Sequence, residues 1–510
     1  MEIEPPLFLF AAMKRIFLGA ILTFITTASN NLKAQNHYWS QQYGAVPTLT
    51  GGSAVAGAHD NSSIYYNPGA VGFIDSPKIS ASCNLYGFES IHLKNGAGTG
   101  IDLKSLRFNV FPQIVSGSVP IANVPRLKIL YGTLTRFRTN IRFNQEARFY
   151  YNVIANSPGD EYYKARLEYQ NNSIEQWGGL GLAYKIDSIF SVGLTSFVAY
   201  TNIETRSAEN LNTDAFYNGQ PYTASVNEYN SLRLDQVNMI FKLGLAVNME
   251  HIKLGMTVTM PSIKIWGKGR LDKSFEAYNL NLNAVDTNIP AEKYPTLILS
   301  DEQDRLKTDY RMPASFAFGA KVVYPKFKVS GSLEYFFGYK NVKVIQGEDR
   351  TFVRPTAAYG GDTIKGYMNI VTSARPVLNA GFGAEWQVKK KIALLLGIRT
   401  DFNNRTDFLP NNGVANVLSV RLPIYHYLYF SAGATYKFGT HDLSAGFDYG
   451  LGLSADRTEI FNMSEPEQNL LLRGRPANNM QTKIHSLSFV IGYTYYFKAI
   501  QKRYPEVSAR

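Results

Sequence analysis

The sequence predicts an all-β protein, a transmembrane antiparallel β-barrel of about fourteen strands with its lumen plugged by an N-terminal segment. Three observations carry this expectation. Apolar residues alternate with small or polar ones over about ten positions at a time, as in a strand with lipid on one face and water on the other. The connections between these segments are tight and long by turns, as periplasmic turns and external loops are. The chain also opens on an export signal, yet past residue 30 nothing approaches the roughly 20 consecutive apolar residues of a membrane helix.

The export signal reads from Met13. Lys14 and Arg15 precede an apolar stretch from Ile16 to Ala28, and Leu32 and Ala34 suit the −3 and −1 positions of a cleavage site. Residues 1–34 are therefore expected to be a signal peptide with its true start at Met13, followed by a plug over 35–75, a barrel over 76–498 and a periplasmic tail over 499–510. The single cysteine, Cys83, has no internal disulfide partner and reads as a small strand residue.

Strands are expected at 77–88, 105–120, 126–140, 174–185, 189–203, 231–249, 252–266, 309–323, 327–341, 375–388, 391–403, 425–438, 441–454 and 483–498. The last shows the pattern best: Leu487, Phe489, Ile491, Tyr493, Tyr495 and Phe497 share one parity, against Ser486, Ser488, Gly492 and Thr494. Tight turns fall at Ala122 to Pro125, Asp187/Ser188, Glu250/His251, Pro325/Lys326, Lys389/Lys390 and Gly439/Thr440. A soluble β-sandwich would also alternate, but here Gly, Ser and Asn are frequent on the second face and aromatics gather at strand ends. Tyr86, Phe88, Trp266, Tyr310, Tyr324, Trp386, Tyr436, Phe438, Tyr496 and Phe497 fit interfacial girdles. Closure is favoured because an unpaired backbone group in hydrocarbon costs several kcal/mol.

The formal charge of +12 comes from cations scattered through strand ends and loops, so solvated surface or contact with anionic lipid and lipopolysaccharide is expected, not nucleic acid. The seven histidines are far apart, with no metal-ligand spacing and no G-x-S-x-G elbow. Gly96 to Gly100, GAGTG, falls in an expected external loop with no helix to present to a phosphate. Neither an enzyme nor a cofactor is expected.

A barrel of this strand number is wide enough to need a plug or to conduct. Small residues at Gly51, Gly52, Ala54, Ala56, Gly57 and Ala58 would let the N-terminal segment approach the wall closely, and Asn61, Ser62, Ser63 and Asn67 offer hydrogen bonds to it. A linker without structure is the alternative.

Gly52–Ala58, GSAVAGA, followed by Asp60–Gly69, DNSSIYYNPG, resembles the N-terminal hatch of FadL-type outer-membrane transporters of long-chain fatty acids and other hydrophobic compounds. Met256–Pro261, Ile263–Gly267, Met312–Ala314 and Phe318–Ala320 add to the likeness in order along the chain. The resemblance implies a hatch built on Gly52, Gly57, Asp60, Asn67 and Pro68, a Gram-negative outer-membrane location, and insertion by the barrel assembly machinery. It also implies passive transport of a hydrophobic small molecule, landing between the third and fourth external loops and leaving through a wall gap near the third strand. Gly69 departs from the family's Asn-Pro-Ala signature, and residues beyond Phe497 depart from its C-terminal aromatic end.

For a carboxylate ligand, parity offers Arg136, Arg138, Lys321 and Arg399 as lumen cations; pairing with Glu334, Glu385 or Asp401, or contact with the hatch, explains them equally. Phe275, Leu297 and Ile298 in the fourth long loop suit a greasy landing site or a loop packing on itself. A non-transport barrel subunit of an envelope or type IX secretion machine is the runner-up function, and an open aqueous porin the third.

Overall fold

The computed structural model describes residues 37–497 apart from 58–59, 75–76, 122–123, 155–156, 218, 281–295, 355–362 and 406–421. The expected signal peptide and C-terminal tail lie outside the described residues. In chain order the strands are β1 (Lys78–Lys94), β2 (Leu103–Ile121), β3 (Val124–Tyr151), β4 (Glu161–Lys185), β5 (Phe190–Tyr217), β6 (Gln220–Asn248), β7 (Ile252–Thr259), β8 (Ile263–Tyr278) and β9 (Leu297–Thr308). They continue as β10 (Ser315–Val323), β11 (Phe327–Phe336), β12 (Tyr339–Gln346), β13 (Ile370–Ala374), β14 (Val377–Lys389), β15 (Ile392–Asp401), β16 (His426–Phe438), β17 (His441–Leu453) and β18 (Gln481–Tyr496).

The wall runs β1 to β7, then β10, β11 and β14 to β18, and closes where β18 pairs with β1: fourteen antiparallel strands with no free edge around the ring. Period two decides what each strand presents. Leu180, Leu182, Leu194, Val198, Leu243, Val258, Phe318, Val329, Leu394, Leu396, Leu443 and Leu487 all point outward and are exposed. An apolar face of that extent around a whole circumference is not tolerated in water, and acyl chains cover it. Phe88, Trp266, Tyr324, Trp386, Tyr436, Phe438 and Phe497 are exposed on this outer surface. Two expected girdle residues instead face inward: Tyr310 lines the internal cavity, and the Tyr496 hydroxyl donates to Asp442 Oδ2 at 3.0 Å. The Tyr86 side chain lies outside those described.

Strand length separates two parts of the wall. β3, β4, β5 and β6 have 28, 25, 28 and 29 residues, whereas about 9–11 cross a bilayer. Stretches expected as long loops are therefore strand continuing into the external medium, and 152–160 is all that joins β3 to β4. Beyond β6 the wall strands break: Pro261 falls between β7 and β8, Pro313 between β9 and β10, Gly338 between β11 and β12, and Pro376 between β13 and β14. Proline cannot donate to a ladder, so the strand expected at 252–266 is interrupted at Pro261 and the one expected at 309–323 starts only after Pro313; the one expected at 327–341 breaks at Gly338, and the one expected at 375–388 is continuous as β14 once past Pro376. The upper pieces pair among themselves, β8 with β9 and β12 with β13.

The segment 37–74 is buried against the inward wall. It holds short helices at Ala45–Leu49 and Ser63–Tyr66 and a 3-10 turn at Pro68–Phe73. Its backbone approaches so closely that wall glycines are required: a Cβ at Gly319 would lie 2.7 Å from Ala56 N, and one at Gly193 would lie 2.5 Å from the Pro68 carbonyl carbon. Gly244, Gly255, Gly381, Gly383, Gly397 and Gly492 meet the segment in the same way. Above it, inward faces of β1 to β6 and the connection between β17 and β18, including Phe461, Met463 and Leu472, form a large apolar core.

Candidate functional site

Between the N-terminal segment and that upper core lies a cavity of about 330 Å³. Its floor is made by residues of the segment, among them His37, Tyr38, Gln42 and Thr48. These are fixed by long-range contacts that the linear sequence does not display. The Trp39 amide donates to Asp401 Oδ1 at 3.0 Å and its indole to Glu334 Oε2 at 2.7 Å. Arg399 forms a bidentate pair with Asp448 at 2.7 and 2.8 Å and donates to the Trp39 carbonyl at 3.3 Å.

The residues of the hatch motif lie at the contact between segment and wall. Asn67 Nδ2 donates to the carbonyls of Val55 and Leu245 at 2.8 and 2.9 Å, while Asn67 Oδ1 accepts from Gly69 N at 3.0 Å and so caps the turn that Pro68 begins. Asp60 accepts from the Ser62 amide at 3.1 Å. Gly52 and Gly57 have φ of 72° and 118°, a backbone conformation that glycine reaches without a Cβ penalty.

One side of the cavity is not closed by a ladder. The register between β2 and β3 runs from Ile121↔Val124 to Ile114↔Leu134 and ends there. Higher up, Arg142 N donates to Ser105 Oγ at 3.2 Å across the same seam. Between these two points Arg107, Asn109, Phe111 and Gln113 of β2 face Phe137, Arg138, Thr139 and Ile141 of β3 around the cavity. Arg138, on the exposed face of β3, belongs to the same lining, so the cavity wall is unladdered and reaches the outer face at this window.

A bulge makes the window. β3 carries one extra residue, Arg136, between Thr135 and Phe137, each of which pairs with β4. A one-residue slip exchanges the faces of everything that follows. Arg136 therefore points inward and is 3% exposed, while Arg138, expected in the lumen, turns to the outer face at the window's rim. Among the described residues no carboxylate forms an ion pair with Arg136, and its Nε and Nη1 have no hydrogen-bond partner. Lys321 sits elsewhere, paired with Glu385 at 2.7 Å, and Arg399 is held by Asp448.

Phe275, Leu297 and Ile298 do not line the cavity. They belong to the paired strands β8 and β9, where Phe275 lies opposite Leu299, and Phe275 and Leu297 pack on the upper core. Residues that parity alone left unremarked are Arg107, which pairs with Glu89, and Tyr425, Tyr427 and Tyr429, which line the chamber from β16. Their signal was present: three aromatics at spacing two on a strand whose opposite parity carries the lipid face.

No family model matches the sequence, and no curated protein matches it. Solved structures do resemble the fold. A FadL homologue from Pseudomonas aeruginosa is 14% identical, with a TM-score of 0.54 over 91% of this chain and 100% of its own. The P. putida toluene transporter TodX is 12% identical, with a TM-score of 0.51 over 90% and 99% of the two chains. A deletion mutant of the TodX monoaromatic hydrocarbon channel gives 12%, a TM-score of 0.52, and 89% and 99%. The fold is thus that of FadL-type barrels, and with the apolar belt it places the chain in the outer membrane as a multi-pass β-barrel.

Proposed function

We propose that this chain is an outer-membrane channel for passive uptake of hydrophobic compounds with an acidic head, the class to which long-chain fatty acids belong, and that residues 35–75 act as its hatch. The observation that carries the reading is Arg136: a buried guanidinium with unmet donors, facing a cavity that opens toward lipid between β2 and β3. Leaving buried guanidinium donors unmet is costly, and a carboxylate placed against them offsets that cost through charge-assisted hydrogen bonds. The apolar body of such a ligand leaves through the window into acyl chains without crossing water. The toluene transporter and hydrocarbon channel among the similar folds support a hydrophobic cargo.

Uptake of labelled oleate should fall in a deletion strain, return with the wild-type gene, and return by less than a tenth with Arg136→Gln. Equal uptake by the deletion strain and its parent overturns the reading. So does stable co-purification with a larger envelope barrel and no lipid in the cavity, which is the behaviour of a secretion-machine subunit. Large ion conductance of the wild type in planar bilayers would point instead to an aqueous porin.

A further inference from the structure

The chamber's walls are not those of a slot for a bare alkyl chain. Tyr425, Tyr427 and Tyr429 share the inward parity of β16, with successive ring centroids 5.2 and 5.0 Å apart. His37 packs beside Tyr425 and Tyr427, with ring centroids 5.0 and 5.2 Å away, and the Arg399 guanidinium lies 3.8 Å from the centroid of Tyr429. The Tyr427 hydroxyl donates to Glu89 Oε1 at 2.8 Å, which fixes the middle ring. Rows of aromatic faces and edges grip another ring through quadrupole and dispersion contacts that a saturated chain cannot reproduce.

Arg136 and Gln113 are among the cavity-lining residues with polar atoms that no hydrogen bond meets. Arg136 has free donors at Nε and Nη1, and Gln113, 1% exposed, has a free acceptor at Oε1. The guanidinium calls for an anion; the amide oxygen calls for a donor, which neither a carboxylate nor a hydrocarbon has. An occupant lacking either group would leave a buried polar atom desolvated and unmet.

Resting on the uptake reading, we infer that the cavity selects aromatic acids bearing a ring hydroxyl, of the hydroxycinnamate and hydroxybenzoate kind, over saturated acids of equal size. The carboxylate goes to Arg136, the hydroxyl donates to Gln113, and the ring lies on the tyrosine row. An alkyl acid satisfies the first contact only.

The test is calorimetric titration of the purified full chain in detergent with 4-hydroxycinnamate, cinnamate and decanoate, the last matched to the first in heavy atoms. Affinity should fall about tenfold from 4-hydroxycinnamate to cinnamate and again to decanoate, the scale of one hydrogen bond and of aromatic contact. Gln113→Leu should bring the first two within threefold of each other. Tyr427→Leu should bring cinnamate within threefold of decanoate while leaving decanoate unchanged. Decanoate binding as tightly as 4-hydroxycinnamate overturns this inference and leaves the uptake reading standing; no binding of any of the three overturns both. If Tyr427→Leu fails to fold, the wild-type order and Gln113→Leu still decide the matter.

Discussion

Two buried arginines mark two sides of this barrel. Arg399 on β15 is locked to Asp448 and to the carbonyls of Trp39 and Ser40, in a region where β14 to β18 are fully laddered and their glycines admit the backbone of the N-terminal segment. Arg136 on β3 sits in a bulge beside an unpaired seam, with donors unmet. Both are enclosed arginines on inward faces, yet Arg399 is held by wall and segment while Arg136 keeps donors unmet. The difference lies in register. Along the continuous ladder Arg399 meets a carboxylate and segment carbonyls, whereas the extra residue beside the open seam leaves Arg136 with unmet donors.

The largest effect should come from separating these two roles. Asp448→Ala leaves Arg399 buried without its carboxylate and should cost about 3–5 kcal/mol in denaturant unfolding of the folded barrel. Arg136→Met removes donors at Nε and Nη1 that no hydrogen bond meets and should cost less than Asp448→Ala, while abolishing carboxylate binding. Equal destabilisation by the two variants would erase the contrast.

The seat itself is the next target. A Leu at Gly255 would drive into the Val55 carbonyl and should cost about 3 kcal/mol, the upper range for overpacking. Gly178 on β4 has nothing within reach of a Cβ, so Gly178→Leu should change stability by less than about 0.5 kcal/mol. Chymotrypsin cleavage at the aromatic residues within 37–74 should rise in the first variant only. Asn67→Ala comes below it: two buried donor contacts and a turn cap are lost, for about 2 kcal/mol, read by the same unfolding assay.

Legibility in the sequence follows the same division. Where period two runs unbroken, as along β14 to β18, alternation alone places strands and faces, and the small residues on the second parity of Gly381, Gly383, Gly446 and Gly492 are the ones that lie against the segment. Where register is set by a single residue, local pattern fails. Nothing in the run around Arg136 announces which residue bulges, so Arg138 is assigned to the wrong face. The external halves of β3 to β6 are hidden for a different reason: their outward face carries polar residues toward water while inward apolar residues pack in the upper core, the reverse of a lipid-facing strand, so they read as loop. Ion-pair choice is also invisible, because Arg399 takes Asp448 over Asp401 through strand adjacency that only the closed sheet creates.

The smallest expected effect lies at a tight turn on the Arg136 side of the barrel. In the turn between β4 and β5, Asp187 Oδ1 accepts from the amides of Ile189 and Phe190, each at 2.7 Å, and these two bonds hold its carboxyl below the usual carboxylate range. A carboxyl depressed in the folded state adds stability above its unfolded pKa, near 4, and loses it as pH falls through the lower folded value. The group is exposed to solvent, so its share is slight. Thermal unfolding of Asp187→Asn should therefore sit just below wild type at pH 7 and converge with it in strong acid. A difference that persists unchanged there would assign the turn's stability to packing of Ile189 and Phe190 against lipid instead of to the carboxylate.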